Sequence, residues 1–457
     1  MEYTDLIVIG AGIHGVGVAA NAASRGLHVT VFEKDDIGSG TSNASTKLIH
    51  GGLRYLETFQ YKLVQECLEQ QSQLLSLAGH LVRPMEFIIP LEPSLRPQWM
   101  VQLGLLGYDV LRKSALPWSQ LLTTNERENL GLFQTPSGAF RYWDCQTDDH
   151  RLCIMEAMLA KQLGAKFYRN SPVYNIQSTE GGWIVQAKTP YGSHTVCGKA
   201  IAMMTGPGIY HTLTKFGLNF DIPNISLIQG SHIILPKCYQ GNHALATQQP
   251  DGRLVFFVPY QEKWMLVGST DHVLEGSTPP PVVRISEQER DYLLQAAQMS
   301  FGSERIKDSD IVHEYAGIRC LLGDREPGAK TSRESQIIEY TCKQYHHSCV
   351  GLIGGKLTSW RATCEKIVSQ LLPSFTYKTL KAQTDLVIPG SYKGWTLGDI
   401  TESLSIQYQE MPSELIKRWA RTYGLMTHTL LGSARTLSDL GEHLIPGLYA
   451  KEVEYLM

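Results

Sequence analysis

The sequence has no pair of cysteines at the spacing of a metal or redox motif. Its nine cysteines are scattered over 457 residues, and none belongs to a C-x-x-C pair. Disulfide frameworks are found in short, cysteine-dense secreted chains, and structural zinc sites need closely spaced ligands. The scatter therefore argues against a disulfide framework and against a zinc or other metal site. It is typical of free thiols in a reducing compartment.

The sequence also lacks an excess of positive charge. The formal net charge is −3, which gives no electrostatic reason to expect nucleic acid as a partner. No apolar run approaches the ~20 residues that a membrane-spanning helix needs. The first strand begins almost at Met1, which leaves no room for a signal peptide. We therefore expect a cytosolic protein of two or three domains, or one held on the cytosolic face of a membrane.

Three glycines near the N-terminus have the G-x-G-x-x-G spacing of a dinucleotide-binding turn. Gly10, Gly12 and Gly15 follow a short apolar run and open a predicted helix at residues 13–25. Glycines at these positions let the backbone approach a pyrophosphate, and the helix N-terminus favours its negative charge. Glu33 ends the next predicted strand, where a carboxylate can bind ribose hydroxyls. The pattern predicts a Rossmann-like dinucleotide site but does not separate FAD from NAD.

A polar, glycine-rich segment at residues 41–55 follows this unit. It is too polar for a core element, and it places hydroxyls, a lysine and a histidine beside the dinucleotide motif. Such a composition suits a loop that wraps around phosphate and flavin, and a solvated loop is the alternative. The candidate cofactor contacts in the segment are Thr41, Ser42, Ser45, Thr46, Lys47, His50, Gly51 and Gly52.

Two further turns follow predicted buried strands. Thr205 and Gly206 end one strand, and residues 354–358 end another and open a helix. The carboxyl ends of parallel strands meet at one edge of a sheet, so both turns are expected beside the dinucleotide. The candidate cofactor contacts in the second turn are Gly355, Leu357 and Thr358.

The middle of the chain has a different pattern of apolar and polar residues. Residues 220–271 alternate like an antiparallel sheet, which is where a substrate domain is expected between Rossmann-like pieces. Ser286 and Glu289 have the spacing of a capping box at the start of a predicted helix.

An apolar stripe recurs at helical spacing within residues 93–118. It comprises Trp99, Leu103, Leu106 and Val110, with basic residues at both ends. Such a helix can lie in a membrane interface, with its basic ends near anionic headgroups. The same spacing is typical of a packed core face, and the sequence leaves both interpretations open.

Together the motifs resemble those of the FAD-dependent glycerol-3-phosphate dehydrogenases, which are quinone-linked flavoenzymes with an amino-acid-oxidase-like fold. The matching segments are residues 10–15, 45–57, 230–232, 268–271, 316–319 and 354–361. The K-L-I-H-G-G-L-R-Y-L-E run is specific, and the resemblance covers nearly the whole chain. Departures include His14, where a smaller polar residue is common, and a C-terminus that stops short of the helices usual in the family.

The resemblance implies an α/β fold in which a Rossmann-like FAD-binding domain is interleaved with an antiparallel-sheet substrate domain. The expected FAD-binding parts are about 1–80, 140–215 and 330–390, and the expected substrate-domain parts are about 81–139 and 216–329. A small, apparently shortened α-helical C-terminal domain is expected at 391–457.

The resemblance also implies a reaction. FAD would oxidise sn-glycerol 3-phosphate to dihydroxyacetone phosphate, with a hydride passing from C2 to flavin N5. Arginine provides forked contacts for the phosphate dianion, and the matching motifs assign this role to Arg54 and Arg319. Arg333 is a candidate third cation. Tyr55 and Thr270 are the expected donors to substrate oxygens.

A proton must leave the C2 hydroxyl as the hydride departs. His232 is the candidate acceptor by motif, because histidine titrates near neutral pH. A buried structural histidine is the alternative. Lys356 could serve as the base instead, or could stabilise the charge of reduced flavin.

The electron acceptor follows from the resemblance alone. It implies ubiquinone or menaquinone, and a protein held peripherally on the cytoplasmic face of the inner membrane. An oxidase that passes electrons to oxygen and releases hydrogen peroxide is the alternative, and the lack of a long insertion between Thr270 and Tyr315 favours the dehydrogenase. A non-catalytic flavoprotein that binds membrane or a partner is a second alternative, which the intact motif residues argue against. Oligomeric state stays open, with a homodimer as one possibility.

Overall fold

The computed structural model describes residues 1–91, 95–130, 138–323, 335–375 and 385–457. Within these residues the helices are α1 Ile13–Ser24, α2 Tyr61–Leu77, α3 Gln98–Leu111, α4 Thr124–Asn129, α5 Asp149–Gln162, α6 Ile209–Lys215, α7 Glu287–Phe301, α8 Trp360–Leu371, α9 Leu397–Gln407, α10 Ser413–Tyr423, α11 Thr427–Leu431 and α12 Ala450–Leu456. The strands are β1 Glu2–Ile9, β2 Val29–Phe32, β3 Leu48–Ile49, β4 Arg83–Pro90, β5 Gln120–Leu121, β6 Ala139–Gln146, β7 Lys166–Tyr168, β8 Val173–Thr179, β9 Gly182–Thr189, β10 Gly192–Met203, β11 Ile225–Pro236, β12 Ala244–Gln248, β13 Leu254–Tyr260, β14 Trp264–Gly268, β15 His272–Val273, β16 His313–Leu322, β17 Gln336–Thr341, β18 Ser348–Ile353, β19 His443–Ile445 and β20 Leu448–Tyr449.

The first sheet is built around β1. Its order is β17-β18-β10-β1-β2-β7, and β18, β10, β1, β2 and β7 run parallel. Ile9 at the end of β1 lies opposite Phe32 of β2 and Met203 of β10. Because these strand ends are in register, the turns that follow them meet at one edge of the sheet. This confirms the expected Rossmann-like arrangement.

Helices cover this sheet because its strands are apolar on both faces. Leu6 and Val8 point into a core shared with α1, α5 and α8, whereas Ile7 and Ile9 point into a second core. The first of these cores continues into α9 and α10, through Leu404 and Trp419 among others.

The second sheet is largely antiparallel. Its order is β15-β11-β14-β13-β12-β4-β6-β3, with β16 on β11 and β5 on β6. The long pair β11 and β16 puts Gly230 opposite Gly317 and His232 opposite Tyr315. Separate apolar cores lie on its two faces. The expected antiparallel sheet is therefore present, and the division of the chain into domains stays a prediction.

Helix α7 begins as the sequence predicts. The Ser286 hydroxyl accepts a hydrogen bond from the backbone N–H of Glu289, and a Glu289 carboxylate oxygen accepts one from the backbone N–H of Ser286. The predicted capping box is confirmed.

Helix α3 turns its apolar stripe outward. Leu105 and Tyr108 on the opposite side are buried. The exposed fractions of the stripe are 67% for Trp99, 63% for Leu103, 50% for Leu106 and 66% for Val110. The alternative of a packed core face is therefore wrong for these residues. Residue 93, where the predicted segment began, lies outside the described residues. Among the described helices, none has both the length and the hydropathy that crossing a bilayer requires.

Candidate active site

A cavity of about 350 Å³ is lined by residues from both sheets. It brings together segments that the sequence singled out far apart from one another. The predicted site residues that line it are Gly12, Thr41, Ser42, Ser45, Thr46, His50, Gly52, Arg54, Tyr55, Gly206, Arg319, Gly355, Lys356, Leu357 and Thr358. The predicted residues that lie behind this lining are Gly10, Gly15, Glu33, Lys47, Gly51, Thr205, His232 and Thr270. Arg333 lies outside the described residues.

The glycine turn between β1 and α1 leaves no room for side chains. Gly10 has a φ of +100°, and a Cβ there would overlap the Met204 carbonyl oxygen. A Cβ at Gly15 would overlap the carbonyl oxygen of Gly10. Gly12 is the N-cap of α1 and provides no side-chain cap. The Ile13 N–H donates to the Ser42 hydroxyl, and the positive end of the helix lies at the cavity edge, where an anion is favoured.

Glu33 stands beside this turn. One of its carboxylate oxygens accepts a hydrogen bond from the N–H of Ala11 at 2.7 Å, and the other accepts one from Asp35 at 2.9 Å. Each oxygen retains a further lone pair for a hydroxyl group. The backbone thus orients the carboxylate that the sequence predicts to bind ribose.

The segment at residues 41–46 is tied to both sheets. The Ser42 hydroxyl accepts a hydrogen bond from the N–H of Ile13 at 2.9 Å, and the Thr41 hydroxyl donates to the Ile318 carbonyl at 2.8 Å. These contacts hold the segment in place across the N-terminus of helix α1. It is not a freely solvated loop.

Lys47 is committed to an internal ion pair. Its Nζ lies 2.6 Å from Asp149 Oδ1, and the side chains are 11% and 0% exposed. The Ser45 hydroxyl donates to the other oxygen of Asp149 at 2.7 Å. Breaking a buried pair of this kind leaves an uncompensated charge, so Lys47 acts as an anchor of the loop behind the cavity.

A second buried carboxylate, which the sequence analysis missed, supports the Gly51 turn. The Tyr108 hydroxyl accepts from the N–H of Gly51 at 2.7 Å and donates to Asp144, whose two oxygens both lie 2.9 Å away. Gln71 joins the cluster by donating to Asp144 at 2.6 Å and to the Ile49 carbonyl at 2.8 Å. Burial raises the pKa of Asp144 to about 7, although these hydrogen bonds oppose the shift. The signal available in the sequence was a single carboxylate between Trp143 and Cys145 in β6.

The turn after β18 closes over the same region. The Thr358 hydroxyl accepts a hydrogen bond from the backbone N–H of His50 and donates one to the His50 carbonyl, each at 3.2 Å. These contacts link the two loops. Gly355 has a φ of +107°, and a Cβ there would meet the ring of His14. Lys356 extends into the cavity, where its Nζ lies 4.0 Å from the centre of the Tyr55 ring.

Arg319 occupies a fixed position in the cavity wall. Its Nη1 donates to Asp271 Oδ1 at 2.5 Å, and its Nη2 donates to Ser269 Oγ at 2.9 Å. A Cβ at Gly230 would fall 2.5 Å from Nη2, so the guanidinium packs against that glycine. Arg253, which the sequence analysis did not select, also lines the cavity and pairs with Asp251 at 2.6 Å.

His232 does not reach the cavity surface. It is 0% exposed and stacks on Tyr315 with ring centres 4.8 Å apart. Its Nε2 shares a hydrogen bond of 3.0 Å with the Thr46 hydroxyl. Burial, together with the charges of Arg319 and Lys47, lowers the pKa of His232 well below 6.5, so the ring is neutral. Direct contact with a substrate hydroxyl, which the sequence analysis expected, is incompatible with this placement.

Thr270 is likewise buried, at 2% exposure. Its hydroxyl accepts from the N–H of Ser231 at 2.9 Å and donates to Glu289 at 2.5 Å. The role of Thr270 as a donor to substrate stays a prediction, which this geometry does not favour because the hydroxyl donates to Glu289.

The residues present fit an FAD group. The glycines of the N-terminal turn form a cradle that a Cβ would fill. Two buried polar atoms at the same sheet edge, His14 Nε2 and Thr205 Oγ1, find no hydrogen-bond partner within the described residues. Buried polar atoms of this kind are rarely left unpaired, so they are suited to contact a polar ligand.

Comparisons with known proteins support FAD as the cofactor. The sequence matches the family described as FAD dependent oxidoreductase over residues 5–359. A glycerol-3-phosphate dehydrogenase of Pseudomonas aeruginosa is 37% identical, with 100% of this chain and 88% of the relative aligned. The aerobic glycerol-3-phosphate dehydrogenase of Escherichia coli is 34% identical, with 100% and 91% aligned.

A third relative carries a different name. D-erythritol 1-phosphate dehydrogenase of Brucella abortus is 33% identical, with 100% of this chain and 91% of the relative aligned. Among solved structures, the Bacillus halodurans glycerol-3-phosphate dehydrogenase complexed with FAD has a TM-score of 0.73 at 22% identity, covering 94% of this chain and 77% of that one. The structural likeness supports the fold. The chain therefore belongs to the FAD-dependent oxidoreductase family, and within it to the group that contains the glycerol-3-phosphate dehydrogenases.

Proposed function

We propose that this chain oxidises sn-glycerol 3-phosphate to dihydroxyacetone phosphate. The observation that carries the proposal is the guanidinium of Arg319, which Asp271 and Ser269 hold in the same cavity as the dinucleotide turn. A fixed guanidinium suits bidentate binding of a phosphate dianion. The names of relatives that align with the whole chain support the same substrate.

The other cations of the cavity strengthen the phosphate assignment. Arg54, Arg253 and Lys356 line it together with Arg319. Asp251 and Asp271 offset part of this charge, which leaves the cavity favourable for an anion without making it a non-specific basic surface. The proposed substrate-binding residues are Arg54, Tyr55, Arg253 and Arg319.

FAD, when bound, supplies the acceptor for the hydride that leaves C2. We assign its binding to the glycine turn, Glu33, the segment at residues 41–52 and the turns at residues 205–206 and 355–358. The remaining work falls to the chain. It must hold the phosphate, present C2 to the cofactor and accept the proton of the C2 hydroxyl.

The proposed route for that proton runs through Thr46. The Thr46 hydroxyl lines the cavity and also contacts His232 Nε2. A neutral His232 with its proton on Nδ1 leaves Nε2 able to accept from Thr46, which can itself accept from the substrate. Lys356 stabilises negative charge as it develops in the cavity in this scheme.

A membrane quinone is the proposed electron acceptor, and the cytoplasmic face of the membrane is the proposed location. The exposed stripe of α3 supports this, because an apolar surface of that kind is costly in water and suits a lipid interface. Oxygen is the alternative acceptor, and the two are separated by mixing reduced enzyme with each of them.

The substrate is tested by reducing the bound flavin without oxygen. We expect sn-glycerol 3-phosphate to bleach the flavin absorbance rapidly and glycerol to leave it unchanged. D-erythritol 1-phosphate serves as the competing substrate, since a relative of similar identity bears that name. Faster bleaching by the four-carbon phosphate would reassign the substrate, and no bleaching by either would contradict the proposed function.

A further inference from the structure

Glu289 forms a buried polar cluster with donors from three elements. The carboxylate is 5% exposed. One oxygen accepts from the hydroxyls of Ser231 at 2.8 Å and Thr270 at 2.5 Å. The other accepts from the Gln229 amide at 2.6 Å and from the hydroxyl and N–H of Ser286 at 3.0 and 3.2 Å. Both oxygens are thus fully used.

The charge of Glu289 is held without a cation among the described residues. Burial by itself would raise the pKa of the carboxyl, but the hydrogen bonds from Thr270, Ser231 and Ser286 outweigh burial and lower it. Charge-assisted hydrogen bonds are about twice as strong as neutral ones. A helix cap needs only the contacts to Ser286, so the contacts to β11 and to the turn after β14 call for another explanation.

Those additional contacts reach the two segments that hold the Arg319 guanidinium, which are strand β11 and the turn after β14. We call these two segments the walls of the Arg319 site. Thr270 stands between Ser269 and Asp271, which both accept hydrogen bonds from the guanidinium. Ser231 follows Gly230, against which the guanidinium packs. The hydroxyl of Thr270 also accepts from the N–H of Ser231 and so joins the two walls.

We propose that Glu289 is a positioning residue for Arg319, acting through Thr270 and Ser231. Its carboxylate holds the turn after β14 against β11. Asp271 and Ser269 can then accept hydrogen bonds from the two terminal nitrogens of the guanidinium, Nη1 and Nη2. The cost of misplacing a substrate-binding group by about 1 Å can reach 10²-fold in rate. The inference rests on the proposed function for its kinetic consequence but not for its structural one.

The kinetic test compares Glu289→Gln with Thr270→Val. Glutamine keeps the size of the side chain but replaces one acceptor oxygen by a donor that faces other donors. Valine at position 270 removes the hydrogen bonds that the Thr270 hydroxyl makes with Glu289 and with the N–H of Ser231, and it leaves the cap of α7 intact. We expect both variants to raise KM for sn-glycerol 3-phosphate at least tenfold, with a smaller change in kcat and an unchanged flavin spectrum.

Ser286→Ala is the matched control, because it weakens the cap of α7 while leaving Thr270 in contact with Glu289. We expect its KM to stay within about twofold of wild type. An equal rise in KM for Ser286→Ala and Glu289→Gln would overturn the positioning role, since it would assign the effect to the helix cap. A wild-type KM in both Glu289→Gln and Thr270→Val would overturn it as well.

A crystal structure of each variant provides a readout that is independent of the substrate. We expect the Arg319 guanidinium to lose its contact with Ser269 or with Asp271. Retention of both contacts in both variants would overturn the inference. If the wild-type flavin is not reduced by sn-glycerol 3-phosphate, the proposed function fails, and the structural readout still decides the role of Glu289.

Discussion

The Arg319 guanidinium and the Asp271 carboxylate form an ion pair in the wall of the cavity, with Nη1 and Oδ1 2.5 Å apart and each side chain less than 30% exposed. The pair sets the direction of the guanidinium while leaving part of it facing the cavity. Arg319 lies on β16 and Asp271 follows β14, so both strands must be in place before the pair forms.

Replacing this arginine by lysine should impair substrate binding. A lysine ammonium cannot contact Ser269, Asp271 and a phosphate in the geometry of a planar fork. Lysine keeps the charge but loses a contact of the fork, and a hydrogen bond to a charged group contributes about 1.5–3 kcal/mol, which corresponds to a fall in kcat/KM of roughly 10- to 150-fold. Arg305→Lys is the control, because the side chain of Arg305 is 66% exposed. An Arg319→Lys enzyme with wild-type kcat/KM would exclude Arg319 from substrate binding.

The proposed proton route predicts a defect in kcat for Thr46→Val. Valine keeps the shape of threonine but cannot join the substrate hydroxyl to His232 Nε2. General base catalysis contributes about 10²- to 10⁴-fold, so a fall in kcat within that range is expected in stopped-flow flavin reduction. Thr247→Val removes a half-buried hydroxyl of β12 that does not line the cavity and should leave kcat within a few-fold. Equal effects of the two variants would argue against the route.

The buried Asp144 should make stability depend on pH. Its pKa is about 7 in the folded protein and 3.8 when unfolded. Between these values the folded state keeps a proton that the unfolded state has released, so this group makes the protein less stable as pH rises from 4 to 7. The slope is at most ~1.4 kcal/mol per pH unit and levels off above pH 7.

Urea unfolding of the holoenzyme at pH 5 and pH 7 measures this slope. Asp144→Asn should flatten it, since the amide does not titrate. Asp291→Asn removes an exposed carboxylate of α7 and should keep the wild-type slope. Parallel pH dependences for wild type and Asp144→Asn would show that Asp144 is ionised throughout the range.

The outward stripe of α3 predicts how the protein distributes between membrane and solution. Replacing Leu103 and Leu106 with Glu should move it into the soluble fraction, because burying each leucine contributes roughly 1.5–3 kcal/mol and each ~1.4 kcal/mol changes partition tenfold. Co-sedimentation with vesicles that contain anionic lipid measures the change. Ile406→Glu alters an apolar residue of α9 that is 65% exposed and should have no such effect. An unchanged distribution for the α3 variant would mean that the stripe contacts protein instead.

Features set by neighbouring residues could be predicted from the sequence alone. The turn at Gly10 and Gly15 follows from the absence of a Cβ, and the capping box of Ser286 and Glu289 follows from a spacing of three residues. The same local spacing predicted that α3 is a helix. It did not say which way the stripe faces, because that depends on what packs against the other side.

Features set by residues distant in sequence were decided by the tertiary structure. Lys47 was expected at the cofactor, but Asp149 lies 102 residues further along the chain and pairs with it. Thr270 was expected to donate to the substrate, but its hydroxyl donates a hydrogen bond to Glu289. The sequence left His232 as either a proton acceptor or a buried structural histidine, and Thr46, 186 residues away in sequence, contacts its Nε2 in the folded chain.

The physical reason is the same in each of these three cases. The energy of a buried charge or hydroxyl depends on the partner that reaches it, and sheet pairing brings that partner from far away in the chain. Residue type and spacing therefore determined the fold, the cofactor turn and the identity of the candidate groups. Only the folded chain decided which of those groups face the cavity and which support it from behind.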